Sequence, residues 1–381
     1  MKINLILPTP DLSGGWRVIA IHAKNLQKRG HDVTCIWSVR PPLSLREKVR
    51  SVRHGKGWPK VTREPSHFDG LDLPHVEVNP YRPVCDRDVP DGDVAVATWW
   101  ETAEWVAGLS PSKGAKAHFV QHDERLFDGV PSDRAEATWR LPTQKITISK
   151  WLVDLARDTH GDNKVLHVPN SVDTDQFNAP PRGRQPVPTV GFLYSTTRFK
   201  GCDVSLEALR RVAQRLPKLR VIAFGAEPVA PHLPLPANAE FHHRPAQSEI
   251  KNLYARCDVW LCGSKSEGFH LPPLEAMACR CPVVSTAVGG SMDIIEEGVN
   301  GHLVAVDDSA ALAEQLFKVL SLPEPQWLAM SQAAHRTAYQ YSWDDATARF
   351  ESALLKTVAR SRIREEAQMP EPVDGQLGQF A

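Results

Sequence analysis

The segment Ser264-Lys265-Ser266-Glu267-Gly268-Phe269-His270-Leu271-Pro272-Pro273-Leu274-Glu275-Ala276-Met277 places two carboxylates, Glu267 and Glu275, on either side of a proline pair. An apolar run, Val259 to Cys262, precedes it, and proline suits the first turn of a helix, so the order predicts strand, loop and helix N-terminus. Such a terminus carries about half a positive charge and several unpaired N–H groups, which suits a diphosphate. Glu275 falls in the first turns of that helix, where a carboxylate accepts from two vicinal hydroxyls at once. The loop Tyr194 to Gly201 contributes Arg198 and Lys200, two cations for a diphosphate. An isolated pair of glutamates is usually two solvated acids, so the surrounding pattern has to decide.

Neither half of the chain has G-x-G-x-x-G after its first strand, and no G-x4-G-K-[ST] occurs, which argues against a dinucleotide-dependent dehydrogenase and a phosphate-loop enzyme. D-x-D occurs three times, at Asp86-Arg87-Asp88, Asp91-Gly92-Asp93 and Asp173-Thr174-Asp175, but none has the strand-end setting of a metal-diphosphate site. We therefore expect no essential metal and no cofactor.

Two alternations of strand and helix position these groups. In the first, the run Ile3 to Leu7, a loop with Gly14-Gly15, a helical stretch closed by Gly30 and the run Val33 to Trp37 form a βαβ unit. Further strands are expected at Val94 to Thr98, His118 to Gln121, Ile146 to Ile148 and Val165 to Val168, with a helix at Trp151 to Arg157. The segment from Asn178, with four prolines, reads as a linker. A second βαβ start follows, from Val190 to Phe224, then helix Glu249 to Arg256, strand Val259 to Cys262, helix Leu274 to Cys279, strand Pro282 to Thr286 and helical stretches from Ala310 through Ala359. The expected architecture is α/β with two Rossmann-like domains. The first spans 1–177, the linker 178–188 and the second 189–342, followed by a C-terminal helix over 343–365 and a disordered tail over 366–381.

With 381 residues, 42% hydrophobic and 24% charged, the chain is long enough for two or three domains and is neither fibrous nor wholly disordered. Lys+Arg and Asp+Glu both number 45, so no global field attracts nucleic acid, and none is expected as a partner. Seven scattered cysteines, the closest pair being C-x-C, read as reduced and mostly buried, in a cytoplasmic protein. No run approaches the roughly 18 apolar residues of a membrane span. One local imbalance stands out. From Arg46 to Arg63 seven basic residues face one acid, Glu47, and with Trp58 they could lie on an anionic membrane, peripherally on its inner face. Such a run is more often a solvated loop.

Taken together, these segments resemble family 4 glycosyltransferases of the GT-B fold. Glu267 and Glu275 resemble the family's E-x7-E signature. Asn170-Ser171-Val172-Asp173 with Phe177 is similar to its N-G-V-D-x3-F segment, and Lys200-Gly201 to its K-G. Val288-Gly289-Gly290, Asp293-Ile294-Ile295, Asn300-Gly301, Gly14-Gly15 and Ser342-Trp343 extend the resemblance over about residues 1–360. It implies two domains facing each other across a cleft, with the C-terminal helix returning to the first. It also implies transfer of a hexose-type sugar from a nucleoside-diphosphate sugar to a glycan or lipid-linked acceptor, with retention of anomeric configuration. The expected catalytic residues are Glu267, His122, Lys200 and Arg198. Donor contacts fall to Glu275, Gly268, Phe269, His270, Leu271, Pro272, Arg244, Gly14 and Gly15, and acceptor contacts to Asp123 and Trp100. Gly268 is expected to be glycine because a Cβ would meet the sugar. One departure matters. Where the family has G-R-L this chain has Gly191-Phe192-Leu193, so Arg198 is expected to supply the missing cation. An epimerase or hydrolase of the same fold, or a non-catalytic sugar-nucleotide-binding subunit, stays open at this point.

Overall fold

The structure, a computed structural model, describes residues 1–11, 13–40, 45–53, 57 and 66–368. Its first sheet is built from β1 (Lys2–Leu7), β2 (Asp32–Ser38), β3 (His75–Val78), β4 (Val94–Ala97), β5 (Ala115–Val120), β6 (Gln144–Thr147) and β7 (Leu166–His167). These pair in parallel in the order β3-β2-β1-β4-β5-β6-β7. A second parallel sheet joins β8 (Thr189–Leu193), β9 (Arg220–Gly225), β10 (Ala239–His243), β11 (Val259–Cys262), β12 (Val283–Thr286) and β13 (Gly301–Val304) in the order β10-β9-β8-β11-β12-β13. Each sheet reverses strand order beside its first strand, at β1/β4 and at β8/β11, which leaves a crevice at the strands' carboxyl ends. Helices cover both faces, so central strands such as VAVA of β4 and VWLC of β11 are buried throughout.

One continuous core links the facing sides of the two sheets, drawing Phe119, Val172 and Phe177 together with Tyr254, Trp260, Phe269 and Leu274. The outer faces have cores of their own, and Phe192 lies fully buried in the one behind the second sheet. Residues 178–188 have no regular structure but are strapped to the second sheet. Asp258 accepts from Gln185 N at 2.7 Å and Thr189 N at 2.8 Å, and the Arg182 guanidinium lies 5.0 Å from the Trp327 ring centre.

The helix Trp343–Gln368 returns to the first sheet, where Phe350 packs 4.8 Å from both His22 and Phe119 and His31 meets Glu351 at 2.8 Å. It runs three residues past the expected end at 365, because Glu366, Ala367 and Gln368 are good helix formers. Residues 369–381 of the expected tail lie outside the described residues. Three short strands, β3, β10 and β13, escaped the sequence reading. All three are edge strands, and β3 and β10 have half-exposed mixed sequences, HVEV and AEFHH.

The basic segment is also different from a plain loop. Arg46, Lys48, Arg50 and Arg53 lie on a helix, Leu45–Arg53, whose Leu45, Val49 and Val52 are exposed at 74%, 57% and 49%. Lys56, Trp58, Lys60 and Arg63 lie outside the described residues. Among the described residues no helix is long and apolar enough to cross a membrane. Of the seven cysteines, all free, six are buried and Cys85 is exposed.

Candidate functional site

At the carboxyl end of β11 the chain turns through Gly263 to Phe269 and enters the helix Leu271–Ala278, with prolines in its first turn as their fixed φ favours. His270 caps this helix in the left-handed region at φ 74°, a strained setting for a residue with a Cβ. Its position is held by Nδ1, 2.7 Å from Ser291 Oγ, and burial lowers its pKa to about 4, against the opposing pull of Glu267. His270 is therefore neutral near pH 7.

Glu267 is buried beside it. Both carboxylate oxygens accept from Lys200 Nζ at 2.9 Å, and Oε1 also accepts from Ser264 Oγ at 2.8 Å. Burial pushes its pKa up, but the Lys200 ammonium, with His270 and the Ser264 hydroxyl, outweighs burial and brings it down to about 2. Glu267 is a fixed anion rather than a proton donor. Lys200 reaches it from the short turn Arg198–Lys200 after β8, closed by Gly201 at φ 55°. A Cβ at Gly201 would stand 1.8 Å from Gly263 O, so this glycine lets the two loops touch.

One turn into the helix, Glu275 Oε2 accepts from the buried Tyr254 hydroxyl at 2.9 Å and Oε1 from Arg17 Nη1 at 2.7 Å. Arg17 belongs to the first domain, two residues beyond Gly15 on the helix Gly14–Lys28. The domains therefore meet at the site. Trp151 Nε1 donates to Gly268 O at 2.9 Å, and Ser266 Oγ lies 3.5 Å from His122 Nε2. A Cβ on Gly268 would come within 1.9 Å of Gln121 O. The backbone of the first domain thus demands glycine there by itself, a reason the sequence reading did not give.

His122 follows β5. Its Nδ1 lies 3.1 Å from the Asp123 carbonyl, which can only accept, so Nδ1 carries the proton and Nε2 turns its lone pair toward Ser266. Burial lowers its pKa, only partly countered by that hydrogen bond and by Glu267. The site thus combines a neutral imidazole, a fixed carboxylate and an ammonium within one cleft.

Glu267, Glu275, Lys200, His122, Gly268, Phe269, His270, Leu271 and Pro272 gather as expected, and Gly15 approaches the same place through Gln121, whose Nε2 lies 3.3 Å from its ideal Cβ position. Gly14 opens the helix beside it. Arg244, at φ 50° just past β10, bonds Ala226 O through Nε at 2.8 Å, at the outer end of the same strand edge. Three expectations change. Arg198 is exposed and lines a separate hollow with Thr196, His232 and Lys265, because the turn that aims Lys200 inward aims residue 198 outward. Trp100 is buried beneath Arg134, 4.6 Å away, and offers no open face. Asp123 is taken up by Arg125, which it holds through both oxygens at 2.8 Å. Half-buried Trp99 instead meets Phe127, and Phe127 meets Phe199 of the second domain, with ring centres 5.5 and 5.4 Å apart. Arg17, Tyr254, Ser264 and Gln121 were missed; only Arg17, two residues after Gly14-Gly15, and Ser264, three before Glu267, had a signal in their spacing. Among the described residues no three His, Cys, Asp or Glu side chains gather to hold a metal.

Comparison with known proteins bears on the fold and on the second domain. Residues 175–341 match the family model for Glycosyl transferases group 1. The chain is 34% identical over 188 residues to a D-inositol 3-phosphate glycosyltransferase of Mycobacterium avium (strain 104), covering 46% of this chain and 42% of that protein. It is 32% identical over 227 residues to the protein of the same name from Corynebacterium urealyticum, covering 56% and 50%. The chain thus spans about half the length of the curated relatives it matches. Among solved structures it superposes on a sucrose-phosphate synthase from Thermosynechococcus elongatus with a TM-score of 0.66 at 15% identity, covering 97% of this chain and 100% of that one. It also superposes on Anabaena Alr3699/HepE in complex with UDP and glucose, with a TM-score of 0.63 at 16% identity, covering 96% and 100%. The fold is GT-B, and the match to the Glycosyl transferases group 1 model falls on its second domain.

Proposed function

We propose that the chain is a retaining family 4 glycosyltransferase that moves a hexose-type sugar from a nucleoside-diphosphate sugar to a glycan or lipid-linked acceptor. The observation that carries this is the Lys200–Glu267 pair just before the helix that carries Glu275 one turn in, at the strand-order reversal of the domain that matches the group 1 model. Glu275 accepts from the ribose hydroxyls, and the N-terminus of helix Leu271–Ala278 faces the diphosphate. Glu267 orients the donor sugar through its hydroxyls. The bond between the anomeric carbon and the phosphate oxygen breaks, an acceptor hydroxyl oxygen bonds that carbon, and its proton passes to the released diphosphate. Lys200, next to Glu267, neutralises the charge that grows there, so the step is assigned no metal. His122, neutral, positions the reacting sugar from the first domain. The matched relatives are named for inositol 3-phosphate, which makes phosphorylated polyols worth including among trial acceptors.

Glu275→Ala should weaken donor binding and Glu267→Ala should lower turnover with donor binding largely kept. Thermal shift against UDP-, GDP- and TDP-sugars reads the first, since a ligand at 100 times its Kd stabilises by about 2.7 kcal/mol. Kinetics read the second, and product NMR should show the donor's anomeric configuration kept, at a rate that chelator leaves unchanged. Wild-type behaviour of both variants would remove the site, and an inverted product would remove the family 4 assignment.

The exposed Leu45, Val49 and Val52, flanked by Arg46, Lys48, Arg50 and Arg53, support a peripheral seat on anionic lipid for a lipid-linked acceptor. Vesicle co-sedimentation should require anionic lipid and weaken with salt, as screening shortens to about 8 Å at physiological ionic strength. Replacing Arg46, Arg50 and Arg53 with Gln should release the protein, and equal binding to neutral vesicles would refute the electrostatic seat.

A further inference from the structure

The first domain sends one cation into the site built by the second. Arg17 Nη1 lies 2.7 Å from Glu275 Oε1, its Nη2 donates to Gln176 Oε1 at 3.3 Å, and its guanidinium carbon stands 5.4 Å from the Phe177 ring centre. The other Glu275 oxygen accepts from Tyr254, a wholly buried phenol. Both oxygens of the carboxylate read as the ribose acceptor are therefore engaged. The phenol is locked in the core, whereas Arg17, with its side chain 19% exposed in the cleft, is the partner that can move.

The second domain is short of positive charge at the same place. Phe192 fills its outer core and Arg198 lines a different hollow, so Lys200, itself paired with Glu267, gets no second cation from either position. Leu271, which opens the helix, precedes Glu275 by four residues, about 6 Å at the rise of an α-helix. An arginine side chain spans that distance by rotamer change alone. Its planar fork fits two phosphate oxygens better than an ammonium does. Arg17 also sits in the first turn of a fifteen-residue helix, Gly14–Lys28, whose terminus adds charge of the same sign.

We propose that Arg17 changes partners as donor enters, yielding Glu275 to the ribose hydroxyls and turning its guanidinium onto the diphosphate. It supplies from the first domain the second cation that position 192 lacks, and it ties closure of the cleft to the presence of phosphate. The proposal rests on Glu275 being the ribose acceptor. An inert brace between the domains would have the opposite signature, because it would compete with donor and give nothing back.

Calorimetry separates the two on the full chain, using UDP, GDP and TDP with their matching nucleosides against wild type, Arg17→Ala and Arg17→Lys. The nucleoside diphosphate that wild type binds should be held about tenfold or more weaker by Arg17→Ala, the scale of a charge-assisted hydrogen bond. Its nucleoside, which has no phosphate, should bind equally or more tightly, and Arg17→Lys should recover part of the loss. If Arg17→Ala tightens diphosphate and nucleoside by the same factor, Arg17 is a brace and the proposal falls while the donor site stands. If wild type binds none of the diphosphates or nucleosides, the ribose reading of Glu275 falls and takes the proposal with it.

Discussion

Lys200→Ala is expected to lower kcat/KM for donor by about 3 kcal/mol, roughly 150-fold, the scale of losing a preorganised donor at a developing anion. The magnitude follows from its isolation. Arg198, two residues away, faces a separate hollow, and Phe192 is in the core, so no neighbour on the second domain takes over its charge. Arg198→Ala is accordingly expected to stay near wild type. Removing Lys200 also strands a buried carboxylate, and breaking such a pair costs about 3–5 kcal/mol when the remaining charge is left uncompensated. The stability loss and the catalytic loss are separable. In Lys200→Ala/Glu267→Gln the buried charge is gone, so the melting temperature should recover while turnover stays well below that of Glu267→Gln alone. A double variant that regains activity together with stability would reduce Lys200 to a structural counter-ion.

How far the sequence alone carries depends on the range over which each feature is determined. The loop from Ser264 to the helix beginning at Leu271 was legible because its constraints are local: a buried strand, a glycine, prolines that start a helix. The two sheets were legible for the same reason, as their central strands are continuous apolar runs. Edge strands such as Ala239–His243 were not, since their half-exposed residues lack both alternation and an apolar run. Site features set by contacts across the cleft were invisible. Arg17 meets Glu275 over 258 residues of chain, and Trp151 meets Gly268 over 117. The misplacement of Arg198 has a related cause. Both cations of the loop could be read from spacing, but which one faces the cleft is decided by a single short turn closed at Gly201 in the left-handed region.

Gly268 gives the sharpest consequence of that closeness. Its carbonyl accepts from Trp151, and a Cβ at this position would stand 1.9 Å from Gln121 O and 3.0 Å from the Gln121 carbonyl carbon. Neither atom is a flexible side-chain end; both belong to the backbone immediately after β5, which a buried strand holds in place. In Gly268→Ala the first domain must therefore withdraw, or the Glu267 loop must shift, by an ångström or more. Displacements of about 1 Å in a positioned constellation cost on the order of 100-fold in rate. Since Gly268 sits between the two domains, each sheet keeps its own packing, so the far-UV spectrum should be unchanged and the melting temperature nearly so. Glu275 and the helix Leu271–Ala278 lie beyond the clash, so affinity for a nucleoside should hold. The expected result is a variant that binds nucleoside and turns over about 100-fold more slowly, with a larger radius of gyration by solution scattering when donor is bound. Wild-type kcat in Gly268→Ala would mean that transfer proceeds with the domains further apart than Gly268 and Gln121 stand here, and His122 would then lie too far from Glu267 to position the same sugar.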